Sequence, residues 1–189
     1  TNAGGAWTNI QTFAANNYAY PTLSTTNASS NVIFFTSGTG IWKSTDSGAN
    51  FSTIPASGFD KGAFGVSDAN VNVLLYGNID VYRTTNSGTN WIKATEWYKP
   101  NATPSNYVHA DLRYVYSLNG VFYIGTDGYL AKSTDNGVTW TRLSDGVAVR
   151  ENYRLGVSQS DYDRVSCGSQ DNGSSYYKDG DWVEWVGAD

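Results

Sequence analysis

The sequence has no methionine, one cysteine and one histidine among 189 residues, and only 12 lysines and arginines against 17 acidic residues. Several of these shortages close off a class. A single cysteine, Cys167, rules out an internal disulfide framework. Set between Ser166 and Gly168, it reads as a small buried residue rather than a nucleophile. A net charge of −5 leaves no basic footprint for nucleic acid. No apolar run reaches the roughly 18–20 residues of a membrane-spanning helix, and no signal peptide is visible, although processing would remove one. Helical periodicity is missing over any useful length, so the apolar residues must be organised in strands. What is plentiful is Gly, Asn, Ser and Thr, and aromatic residues at 15%. That surface, poor in Lys, suits a secreted or cell-surface protein.

One pattern recurs: Ser/Thr-x-Asp/Asn-x-Gly-x-x-aromatic, called the box below. It occurs at Ser133-Thr134-Asp135-Asn136-Gly137-Val138-Thr139-Trp140, at Ser44 to Phe51 around Asp46, and at Thr84 to Trp91 around Asn86. Thr1 to Trp7, around Asn2, fits all but the missing leading Ser/Thr. The Asp or Asn side chain folds back onto the backbone two residues on, and the Gly supplies positive φ. The hydroxyl bonds into the same turn, and the aromatic opens the return strand, where its ring can be buried. Each box therefore predicts the tip of a self-held β-hairpin.

The aromatics at Trp7, Phe51, Trp91 and Trp140 are separated by 44, 40 and 49 residues, the period of a four-stranded propeller blade. Gln170-Asp171-Asn172-Gly173 imitates a box at the wrong spacing and reads as a turn between second and third strands. The last strand of that unit begins near Trp182, after the turn Lys178-Asp179-Gly180-Asp181. The register predicts one all-β segment over 1–189, with blades at 11–56, 57–96, 97–146 and 147–187. Residues 1–10 form the last strand of a preceding blade. Four blades are few for a propeller, so the chain is expected to be part of a larger one, its other blades in cis or on another polypeptide. A closed four-blade ring is the alternative.

In such a blade the boxes share one face with the first-to-second turns. The second-to-third turns and blade-to-blade loops share the other, where recognition by loops is expected. That face holds Trp97 and Tyr98 in a long segment, Asp127 in Gly125-Thr126-Asp127-Gly128, and Gln170, Asp171 and Asn172. The period of two places His109, Asp111 and Arg113 on one side of an innermost strand, with Glu151, Tyr153 and Arg154 similarly placed one blade on. Two readings stand: a hydrogen-bond network tying blades together, or a ligand site. The paired acids Asp161/Asp163 and Asp179/Asp181 fit turn geometry and do not offer the six to eight oxygens calcium prefers. No metal or other cofactor is expected. Asn27-Ala28-Ser29 and Asn101-Ala102-Thr103 match the glycosylation sequon, which chance alone supplies often in an Asn-rich chain.

The box resembles the Asp-box, or bacterial neuraminidase repeat, of sialidases, sortilin, xyloglucan hydrolases and a photosystem assembly factor. In that family it is a structural turn on the rim, away from the ligand face. Residues 107–189 further resemble a subgroup of large secreted or surface propellers, many from bacteria using the type IX secretion route. There a His/Asp strand, a Gly-x-Asp-Gly turn, a Tyr-Arg strand and a Gln-Asp-Asn-Gly turn follow in this order. Tyr129 and Ala188 replace glycines usual in that subgroup. The resemblance implies a propeller and leaves the activity open.

Two functions compete. A binding module would present the face opposite the boxes to a glycan or polypeptide, through Trp97, Tyr98, His109, Arg113, Tyr153, Arg154, Gln170 and Asn172. A glycoside hydrolase would need two carboxylates about 5–10 Å apart, drawn from Asp111, Asp127, Glu151 and Asp171. A sialidase would need an arginine cluster; Arg113, Arg150 and Arg154 exist, but the Arg-Ile-Pro signature is absent. The binding reading needs no catalytic pair and is preferred; a purely structural segment is the third possibility. Fold does not choose between them.

Overall fold

A computed structural model describes residues 4–9, 12, 21–37, 40–58, 60, 62–98, 104–143, 146, 152–170 and 173–186. Asn2, Glu151, Asp171 and Asn172, and the Asn101 sequon, lie outside these. The described residues form four four-stranded antiparallel sheets, each a meander in chain order. The first is β1 (Thr22–Thr26), β2 (Ser29–Ser37), β3 (Gly40–Ser44) and β4 (Ser52–Ile54). The second is β5 (Ala63–Val66), β6 (Leu74–Gly77), β7 (Val81–Thr84) and β8 (Ile92–Lys93). The third is β9 (Leu112–Leu118), β10 (Val121–Thr126), β11 (Leu130–Ser133) and β12 (Thr141–Arg142). The fourth is β13 (Asn152–Val157), β14 (Val165–Ser169), β15 (Gly173–Lys178) and β16 (Asp181–Val186). This is the all-β, propeller-blade architecture that the repeat predicts. Helical conformation among the described residues is confined to the 3-10 turn Pro104–Asn106. No helix among them is long and apolar enough to cross a membrane.

Each box holds a tight turn with two left-handed residues inside the longer connection between its third and fourth strands. In the first, Ser47 and Gly48 have φ of 60° and 89°, and the Ala49 N–H donates to the Asp46 carbonyl at 3.3 Å. Two consecutive positive φ values define a type I′ turn, whose twist matches the flanking strands. The sequence points to the glycine but hides its neighbour. Ser87 (54°) and Asn136 (60°) repeat the pattern before Gly88 and Gly137. The Ser44 hydroxyl donates to Asp46 Oδ1 (2.7 Å) and accepts the Gly48 N–H (2.8 Å). Asp46 in turn accepts the Asn50 backbone and side-chain N–H groups at 2.9 and 2.8 Å. In the boxes at Asn86 and Asp135 the Thr84 and Ser133 hydroxyls donate in the same way to the side-chain Oδ1, at 2.8 and 2.7 Å. The fourth sheet lacks the box yet keeps the tip, with Asp179 at 52° and Gly180 at 92°.

Burial of the box aromatics is uneven. Trp140 is buried, with its Nε1 lacking a hydrogen-bond partner among the described residues. Phe51 and Trp91 are half-buried. Trp7 is 90% exposed, so the ring of the truncated copy does not pack as expected. All three packed aromatics sit one residue before their strand rather than inside it.

The bonds to the box carboxylates make them acidic. The Asn50 side-chain amide, then the Asn50 N–H and the Ser44 hydroxyl, hold Asp46 down at about 2. Burial alone would push Asp135 up, but the Thr139 hydroxyl and N–H, the Ser133 hydroxyl and the Val138 N–H outweigh it and hold it low. A depressed folded-state pKa stabilises above the unfolded value of about 4, and that stabilisation is lost as pH falls through the folded value. In an acid titration the Asn50 and Thr139 amide resonances are therefore expected to move with midpoints below 4, near 2 for Asn50. Asn90 donates to the Asn86 amide oxygen at 3.0 Å and is expected to stay flat. A midpoint near 4 for Asn50 would show that these bonds do not form in solution.

The chain divides into two compact units, Thr1–Thr126 with Leu130–Leu143, and Asp127–Tyr129 with Ser144–Asp189. In the first unit, sheets pack face on face. Val32, Phe34, Ile41 and Ile54 of the first sheet meet Phe64, Val66, Leu74 and Tyr76 of the second in one buried cluster. Strand alternation sends Phe64 and Val66 toward the first sheet and Gly65 toward the third. A Cβ on Gly65 would lie 2.5 Å from Val115 Cγ1, so only glycine lets β5 and β9 approach this closely.

Polar clamps repeat across these interfaces. Thr26 Oγ1 donates to the Ser67 carbonyl at 2.6 Å. Lys43 Nζ donates to Ser87 Oγ at 3.3 Å, and Arg83 Nε to the Asn136 carbonyl at 2.9 Å. A cation one residue before each of these boxes thus reaches the tip of the next. Trp91 Nε1 reaches the Pro55 carbonyl at 2.8 Å. The boxes hold neighbouring sheets together as well as closing their own hairpins.

In the second unit, Cys167 is buried in β14 as expected. Asp161 closes the β13–β14 turn, accepting the Asp163 N–H at 3.2 Å and the Arg164 Nε–H at 2.5 Å. Asp161 and Asp163 thus belong to this turn, and Arg164 also donates to the Tyr176 hydroxyl at 2.9 Å.

Candidate functional site

Within the first and second sheets, the second-to-third turn lies at the end away from the third-to-fourth turn that carries the box. At that end of the second sheet, the turn between β6 and β7 carries Asp80, with its side chain only 10% exposed. One carboxylate oxygen meets Lys93 Nζ at 2.8 Å. The other accepts the Trp97 N–H at 2.9 Å and the Thr95 hydroxyl at 3.3 Å. Thr95 Oγ1 accepts the Val81 N–H at 2.8 Å, and the Ala94 N–H reaches the Val81 carbonyl at 2.8 Å. A buried carboxylate is tolerated because both of its oxygens are engaged, one by a cation and the other by two hydrogen-bond donors. It fixes the segment leaving β8.

Lys93 also pairs with Glu96 at 3.3 Å and lies 5.5 Å from the Tyr98 ring centroid. Asp80, and then Glu96, hold the Lys93 ammonium above its usual pKa, against the opposing effect of burial. The Glu96 N–H bonds the Asn106 carbonyl at 3.0 Å, closing the neck of the following loop. Trp97 and Tyr98 are left 42% and 55% exposed on a segment locked beneath them. Rings carried on a backbone fixed in this way lose less freedom when they stack on or pack against a ligand.

The strand reading of His109, Asp111 and Arg113 needs correction. β9 starts at Leu112, and Asp111 has φ of 58°, so the period of two does not extend back through it. His109 Nδ1 lies 3.1 Å from the Ala110 carbonyl. His109 and Asp111 are half-buried ahead of the strand, whereas Arg113 is exposed on it. The Leu112 N–H donates to the Asn78 carbonyl at 2.9 Å. The turn holding Asp80 therefore touches both the Trp97 segment and the start of β9, which brings these two candidate groups to one end of the first unit. Tyr114 and Tyr116 on β9 stack with centroids 6.3 Å apart. With parts of β1 and β5 they line an open cavity of about 210 Å³.

Asp127 is half-buried and lies between β10 and β11 in the chain. In the second unit, Asn152 pairs with Ser169 and Arg154 with Gly168, leaving Tyr153 as the extra residue of a bulge. Tyr153 and Arg154, both exposed, thus share one end of the β13–β14 hairpin with half-buried Gln170. Arg154 Nη1 donates to the Tyr153 carbonyl at 3.5 Å. Among the described residues no three His, Cys, Asp or Glu side chains come together as a metal-binding group.

The sequence reading missed Asp80 and Lys93. The available signal was an acid flanking a strand start with Lys, Thr and Glu 13–16 residues on, which cross-strand pairing brings back to it.

No protein-family model matches the chain, and no curated relative matches it. Among solved structures it is similar to YCF48 bound to a D1 peptide, at 14% identity over 87% of this chain and 52% of that one, with a TM-score of 0.46. It is also similar to an ancestral GH74 enzyme, at 18% identity over 87% of this chain and 25% of that one, TM-score 0.48. A GH74 xyloglucanase from Xanthomonas campestris gives 12% identity over the same shares, TM-score 0.46. These are β-propeller proteins, and the likeness is one of fold alone. The chain spans about half the length of the first and a quarter of the other two.

Proposed function

We propose that the chain is a segment of an Asp-box propeller, secreted or displayed at the cell surface, that binds a glycan or polypeptide through the face opposite the boxes. The remaining blades are supplied in cis or by another chain. The observation that carries this reading is the exposed Trp97–Tyr98 pair, held from below by Asp80 and Lys93 on the end of the second sheet that has no box. At the other end, the box side chains are spent on their own hairpins and on neighbouring sheets. Anchored, partly exposed aromatics are the residues that dominate binding energies.

Glycan and peptide arrays probed with the protein test the proposal. Trp97→Ala with Tyr98→Ala is expected to weaken the binding found by at least about tenfold, with Val138→Ala at a box tip leaving it unchanged. Binding that survives the double variant and fails with Val138→Ala would overturn the assignment of the face. Hydrolysis of xyloglucan or a sialoside, abolished by Asp111→Asn or Asp127→Asn, would replace binding by catalysis.

A further inference from the structure

Two Asn-Gly pairs occupy turns of the first unit, Asn119-Gly120 between β9 and β10 and Asn136-Gly137 in the third box. Both asparagines are exposed and have positive φ, 54° and 60°. Asn-Gly is chemically labile because glycine offers no side chain to hinder its nitrogen. That nitrogen attacks the asparagine Cγ to form a succinimide, and the Cγ–Nδ2 bond breaks. The glycine N–H proton passes through solvent to the departing nitrogen, which leaves as ammonia. Water then opens the ring to aspartate or isoaspartate, with no oxidant or reductant. The step needs a glycine N–H that is free to be lost.

The two turns withhold that N–H differently. Gly137 is buried and donates to Ser133 Oγ of its own hairpin at 2.9 Å. Gly120 is held from another sheet. Asp68 follows β5, and its Oδ1 accepts the Gly120 N–H at 2.8 Å while Oδ2 accepts the Asn119 N–H at 2.6 Å. Ser117 fixes the carboxylate, donating at 2.8 Å and accepting the Asp68 N–H at 3.1 Å. A carboxylate on the Gly120 N–H opposes the loss of its proton and pins the asparagine in the left-handed region.

We propose that Asn119 is a deamidation site gated by Asp68, inert while the second and third sheets are docked and converted when that interface opens. The product places a second carboxylate beside Asp68, and like charges there disfavour closure. Isoaspartate also lengthens the backbone of a two-residue turn. Conversion therefore latches the interface open and records that it opened.

The protein and its Asp68→Ala and Asp68→Asn variants, held at mildly alkaline pH, are mapped by peptide mass spectrometry and isoaspartyl-methyltransferase labelling. In the unaltered protein both asparagines are expected to persist. Asp68→Ala is expected to speed conversion of Asn119 about ten- to a hundredfold, the weight of a charged hydrogen bond, without changing Asn136. Asp68→Asn, which keeps the shape and loses the charge, is expected to give a smaller acceleration of Asn119 alone. The proposal is overturned if Asn119 in the unaltered protein converts as fast as in a free Ser117–Val121 peptide, or if Asp68→Ala leaves its rate unchanged. Should Asp68→Ala accelerate both sites by loosening the whole fold, equal acceleration of both in Asp68→Asn overturns it as well.

Discussion

Phe64→Ala is expected to lower the unfolding free energy by about 3–5 kcal/mol, among the largest losses a single core truncation gives. Phe64 is 1% exposed on β5, the strand lying between the first and third sheets. Its ring meets Tyr76 edge-on at 5.8 Å and 80°, and Phe34 of the first sheet at 5.9 Å and 47°. Such aromatic pairs add about 0.5–1.5 kcal/mol each to area burial. Surrounding strands are pinned by ladders and cross-sheet clamps, so the site collapses poorly around the void. Because Phe64 bridges two sheets, its loss weakens their docking and not one hairpin. Urea denaturation followed by tryptophan fluorescence measures both effects: the midpoint falls, and a reduced m-value marks sheets that no longer unfold together. A loss below about 1 kcal/mol would mean that the packing between these sheets is not close in solution.

Much of this architecture is legible in the sequence, for a physical reason. A blade is a local meander, and each box carries its own turn chemistry, so the spacing of Phe51, Trp91 and Trp140 reports sheet after sheet without long-range information. What lies between sheets is not local. Nothing in Lys43 or Arg83 announces that they reach Ser87 and the Asn136 carbonyl, because the offset between blades is set by packing. The second left-handed residue of each tip was equally hidden. Ser47 and Ser87 are ordinary residues whose positive φ is imposed by the tight turn that the box side chains close.

The candidate site was half legible. Trp97 and Tyr98 stand out as adjacent aromatics in a long segment, and the structure leaves them exposed. Their support, Asp80 and Lys93, sits 13 residues apart and belongs to no motif. The strand reading failed at Asp111 because alternation assumes extended backbone. An Asp tolerates the left-handed region and can end a strand without any change in the polar–apolar pattern.

Gly88→Ala separates conformational strain from crowding, and is expected to cost about 3 kcal/mol. Gly88 has φ of +85°, where an alanine is strained by roughly 1–2 kcal/mol. Its added Cβ would also fall 2.0 Å from Ile54 Cγ2 on the first sheet, far inside van der Waals contact, and overpacking adds about 1–3 kcal/mol. Gly58→Ala is the matched control. Its φ is +87° with nothing within 4 Å of the new methyl group, so it carries the strain without the clash. The difference between the two variants in urea denaturation measures how tightly the second box is pressed against its neighbour. Ile54→Ala removes the obstructing methyl group, and in a double-mutant cycle with Gly88→Ala the pair is expected to cost at least about 1 kcal/mol less than the sum of the singles. Additive losses, or equal costs at Gly58 and Gly88, would mean that the box closes only its own hairpin and does not lock adjacent sheets.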